Sequence, residues 1–166
     1  MQSQQLVFGL VTFLHDLFTV IWVGGLVSLG GIVLPTLLRL YGRGPETRRV
    51  MEAIQKRLSP WVYGSIVGLV VTGILLGQRN PAFEGMFSFS NAYSTTMAIK
   101  HLLVLAMIAI AVLRSRGLGA VGGLKTEKRE KLKGALLYLN MALGILVLLL
   151  SGLGAALGSA PRPPLG

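Results

Sequence analysis

The chain has no cysteine, only two histidines, and only six acidic residues among 166. Lacking thiols, it forms no disulfide, thiolate metal site, iron–sulfur cluster or thioether-linked haem, so any haem it holds is non-covalent and of b type. Charge is also scarce along four long stretches. Residues 6–38 are interrupted only by His15 and Asp16, and residues 93–113 only by Lys100 and His101. Residues 60–77 and 134–157 carry no charge at all.

Crossing a hydrocarbon core takes about 20 mostly apolar residues, and the four stretches meet or approach that length. Runs so long and so uniformly apolar suit helices, not the alternating strands of a membrane barrel. The expected fold is therefore all-α: an integral membrane four-helix bundle in contact with the lipid bilayer. It forms one domain over residues 1–158, with helices at about 6–38, 60–77, 93–113 and 134–157. The N-terminal five residues have no basic segment and the apolar run after them is too long for a signal peptide, so the first helix is read as retained.

A net charge of +10 raises the question of nucleic acid, but the placement of the charge answers it. Arg39, Arg43, Arg48, Arg49, Lys56 and Arg57 fall between the first and second helices. Arg114, Arg116, Lys125, Lys128, Arg129, Lys131 and Lys133 fall between the third and fourth, while the opposite side keeps Arg79 and Arg162. This is the positive-inside pattern of a multi-pass protein of a prokaryotic plasma (inner) membrane, with both basic loops cytoplasmic and both termini outside. No nucleic-acid role is needed to explain it.

Prolines and glycines suggest where the helices break. Pro35 is expected to kink or end the first helix, and Gly42 with Gly44-Pro45 to form a turn. Residues 46–58 read as a short amphipathic helix on the membrane surface, with Val50, Met51, Ile54 and Leu58 on one side. Ser59-Pro60 reads as the cap and first residue of helix two. Residues 117–123 look like a small-residue linker, 125–133 like an extension of helix four, and 159–166 like a disordered tail. Gly64 and Gly68, the glycines at 24, 25, 30 and 31, and Gly144, Gly152 and Gly154 permit close helix contact or a flat macrocycle between helices.

The two histidines carry the functional signal. His15 lies nine positions after Leu6 and His101 nine after Ala92. At a rise of about 1.5 Å per residue, each is roughly 13 Å inside its own helix, and the two helices run in the same direction. Ionisable residues inside a bilayer are costly enough to mark function. Two imidazoles at one depth suit the two axial positions of a haem b iron, with Met97, one turn before His101, as a reserve ligand. Thr12, Thr19 and Trp22 fall on the His15 face, and a threonine is a candidate partner for the second imidazole nitrogen. Asp16 and Lys100, each beside a histidine, would flank the same site as an ion pair, a propionate partner or part of a proton path. A copper site from His15, His101, Met97 and Met107 is the competing assignment, since Cu(I) accepts imidazole and thioether. Phe83, Met86, Phe87, Phe89 and Tyr93, between the second and third helices, read as an aromatic belt.

The segment LHDLFTVIWVGGLVSLGGIVLPTL at residues 14–37 resembles the copper-resistance D (CopD-like) family, whose first helix reads in the same way. The similarity runs on through Arg57, Ser59 and Val71-Thr72-Gly73 to Lys100 and the apolar run behind it. It implies copper import or, in related small members, haem binding. Helix one and the Lys100-His101 region are also similar to HemJ-type protoporphyrinogen oxidases, which implies His15, Lys100 and His101 as the matching positions. Three functions follow as expectations. The first is a b-type haem protein, an electron-transfer protein or oxidoreductase working with a quinol or another redox partner. The second is copper transport, and the third is porphyrinogen oxidation. Haem sites shared between protomers of a homo-oligomer would extend the first.

Overall fold

A computed structural model describes residues 2–79, 84–117 and 126–159. Among these residues every regular element is helical, and four helices are long and apolar enough to cross a membrane. They are α1 (Ser3–Tyr41), α2 (Pro45–Gly77), α3 (Ala92–Ser115) and α4 (Thr126–Ser159). Part of the 117–123 linker, Lys125, Phe83, Arg162 and the tail from residue 160 lie outside the described residues.

Contacts at glycines fix the packing. Gly25 meets Leu58, Gly68 meets Phe18, and Gly73 meets His15, so α1 and α2 run antiparallel. Gly144 meets Met107 and Gly154 meets Met97, which makes α3 and α4 antiparallel as well. Gly30 against Met141 and Gly134 against Leu34 join α1 to α4. The bundle therefore has a terminal end, and a basic end that carries the 42–44 turn and the start of α4. Trp22, Val23, Leu26, Leu29, Met107, Leu137 and Val147 close its core. Leu6, Leu10, Phe13, Val67, Leu105 and Leu149 stay exposed, as side chains that face acyl chains do.

Two boundaries differ from those expected. Pro35 does not end α1. The helix widens into π turns at Val20–Gly24 and Ser28–Val33, then passes through Pro35 to Tyr41. A proline ring excludes the usual bond to the carbonyl four residues back, and a wide turn just before it absorbs the mismatch. Gly42 stops the helix instead, at φ +64°, a conformation that favours glycine, with its N–H on the Leu38 carbonyl at 3.0 Å.

Nor does Ser59-Pro60 open helix two. The surface helix expected at 46–58 and the second span are one unbroken helix of 33 residues, with Pro60 in its interior. Ser59 Oγ donates to the Gln55 carbonyl at 2.7 Å, inside the helix, and does not cap it. The real start is Pro45 behind Gly44, pinned by Thr47 Oγ1 donating to the Gly42 carbonyl at 2.8 Å. The α4 helix likewise begins before the fourth apolar run, as its charged extension predicts.

The glycines separate into two kinds. A Cβ on Gly68 would run into the Phe18 ring and one on Gly154 into the Met97 methyl, whereas Gly64 and Gly152 face open space. Gly68→Ala is expected to destabilise the protein by about 1–3 kcal/mol, the usual overpacking cost. Gly64→Ala should leave the thermal midpoint in detergent unchanged or slightly higher. Equal midpoints for the two variants would show that Phe18 does not seat on Gly68.

Candidate functional site

His15 is turned toward α2. Its Nδ1 lies 2.8 Å from Thr72 Oγ1, and a Cβ on Gly73 would stand 3.6 Å from its Cε1, so the ring rests against a backbone with no side chain in the way. Thr72 Oγ1 in turn donates to the Gly68 carbonyl at 2.7 Å. A hydroxyl has one proton to give. With the Thr72 proton directed to Gly68, its oxygen can accept from His15, the arrangement in which a neutral ring carries its hydrogen on Nδ1. The Nε2 lone pair is then free for a ligand. Outer partners orient metal-binding imidazoles in this manner.

The helper threonine therefore comes from α2 and not from α1. Thr19 donates to the His15 backbone carbonyl at 2.8 Å, and Thr12 donates to Phe8 in the same way. Trp22 lies in the core, 2% exposed, and the π turn that begins at Val20 stands between it and His15.

The His101 ring lies within reach of the backbone carbonyls of Met97 and Met86, the latter in the segment between α2 and α3. The depth of the two rings can be read from the packing. Val23 and Met107 both touch the Gly144 position; His15 precedes the first by eight residues and His101 precedes the second by six. The two imidazoles are thus at levels within about 3 Å of one another.

Lys100, which precedes His101 in sequence, is half-buried. Asp16 is exposed, and no ion pair joins it to Lys100 among the described residues. Met97 points its methyl at Gly154 of α4. Among the described residues no group of three or more His, Cys, Asp or Glu side chains gathers to hold a metal ion.

The fold and site define a four-helix membrane protein with two imidazoles at one level in its terminal half, away from the basic end. The chain is similar to the copper transport protein CutJ of Bacillus subtilis (strain 168), at 31% identity over 156 residues. That match takes in 93% of the chain but only 26% of CutJ, so the chain spans about a quarter of the relative's length. No family model matches the chain. No solved structure matches it. The expected likeness to copper-resistance D proteins is thereby supported in part, whereas the HemJ-type likeness is not shown. The haem b, iron and oxidoreductase expectations gain no support.

The tautomer is open to direct measurement. In two-bond nitrogen–proton spectra of histidine-labelled protein, neutral His15 should carry its proton on Nδ1. Thr72→Val should abolish that preference and Thr72→Ser retain it. A proton on Nε2 in the unaltered protein would remove the basis for a free ligand nitrogen.

Proposed function

We propose that the chain carries copper ions across a prokaryotic plasma membrane, with His15 Nε2 and the His101 ring as the paired ligands of a transient site in the outer half. The observation that carries this reading is the Gly68–Thr72–His15 relay, which leaves one imidazole nitrogen unspent. The His101 ring at nearly the same level supports it, and so does similarity to a protein named for copper transport. Imidazole and thioether suit Cu(I). Met107, six residues further toward the basic end and buried, offers a thioether at the next level. Lys100 keeps the site from holding its cargo too tightly, since conduction needs binding weak enough to release.

For purified protein in lipid nanodiscs, His15→Ala and His101→Ala should each weaken Cu(I) binding at least tenfold and stop uptake into proteoliposomes. Thr72→Val should cost 10–100-fold in affinity, the range for lost outer partners of metal-bound histidine. Lys100→Met should bind Cu(I) more tightly yet transport it more slowly. Unchanged copper affinity in both histidine variants would refute the proposal. So would a haem absorption band that both variants lose, which would restore haem b as the ligand.

We also infer that the basic end is cytoplasmic and both termini external, from the positive-inside pattern. The absence of cysteine allows a clean test. A cysteine placed at Gln4 should react with an impermeant maleimide on intact cells, and one at Lys128 only after lysis. The reverse labelling would invert the topology.

A further inference from the structure

A second polar site lies between the core and the basic end, away from the histidines. A cavity of about 70 Å³ is bordered by Trp22, Asn140 and Arg114, with Gln55, Ser59 and Tyr63 completing its polar wall. Asn140 is 0% exposed and Trp22 2% exposed. The Trp22 Nε1, both amide atoms of Asn140 and the Arg114 Nε are all buried without a hydrogen-bond partner. An amide sealed in a membrane bundle with both ends unused is unfavourable, so the cavity is built to be filled. Its volume accommodates about five water-sized groups.

The chemistry of the wall selects the occupant. Ser59 gives its proton to the Gln55 carbonyl, Ser115 gives its own to Val112, and Tyr63 therefore donates to Ser115 across 2.6 Å. The unspent groups are then mostly donors: the indole N–H, the guanidinium N–H and the Asn140 amide hydrogens. The formal charge in the wall is that of Arg114, and among the described residues no carboxylate lies within ion-pair distance of it.

Arg114 and Gln55 also border a larger cavity of about 660 Å³ at the basic end. There Lys131 pairs with Glu127 at 2.6 Å and Lys133 with Glu130 at 3.1 Å, so lysines occupy those carboxylates. We propose that the inner cavity binds a small monovalent oxyanion of formate size, which reaches Arg114 from the basic end and is held by Trp22 and Asn140.

The reporter is already in place. The chain has two tryptophans, and Trp61 is 66% exposed, so Trp61→Phe leaves Trp22 as the sole emitter. The Trp61→Phe protein in nanodiscs, free of copper, would be titrated with sodium formate against sodium gluconate at equal ionic strength. The expected result is a saturable change in Trp22 emission with formate and none with gluconate. Asn140→Leu and Arg114→Gln should each raise the half-saturating concentration at least tenfold, with folding checked by circular dichroism. Should the arginine variant not fold, the near-isosteric Asn140→Leu decides alone. A non-saturating response, an equal response to gluconate, or saturation that neither variant moves would show that the cavity holds water only. Because no copper is present, the result is independent of the transport proposal.

Discussion

In hydrocarbon a peptide N–H or carbonyl has no water to turn to, and this constraint organises the whole chain. It makes unbroken helices preferable to interrupted ones wherever the segment faces lipid. Pro60 therefore sits inside α2 without ending it, and α1 widens into π turns and still passes Pro35. Helices end where the chain supplies its own closure: Gly42 through a positive φ, and the start of α3 through Asn91, whose side chain accepts from the Ser94 amide at 2.7 Å. The same constraint governs the side chains. Thr12, Thr19, Thr96 and Ser151 each return a hydroxyl to a carbonyl of their own helix, so a polar atom left unspent stands out.

Against that background two groups of polar side chains stand out. One is the imidazoles of His15 and His101; the other is Trp22, Asn140 and Arg114. Val23 and Met107 pack on Gly144, where a side chain on α4 would crowd both.

The four spans were legible from charge scarcity alone, and so was the common depth of the two histidines, because depth follows from counting along a helix. What was not legible is what counting cannot reach. Thr72 belongs to a different helix from His15, and only packing brings them together. Its place in the Val71-Thr72-Gly73 stretch was the available signal. The π turn at Val20–Gly24, between His15 and Trp22, is a departure from ordinary helical spacing that counting does not reveal. Ser59-Pro60 looked like a helix start because that pairing is one in water-soluble helices. Asn140 passed unnoticed in a run judged by its lack of charge, although a lone amide among leucines is itself a sign of a buried polar contact.

The π turns carry a consequence of their own. Each wide turn accommodates an extra residue, so it is in effect an insertion stored within α1. Related chains could shed one residue from either turn and tighten locally. The imidazole would then keep its seat on Thr72 while the Trp22 side swings to a new azimuth. The two polar levels are in this sense mechanically decoupled along a single helix, and divergence at the lower one need not disturb the upper.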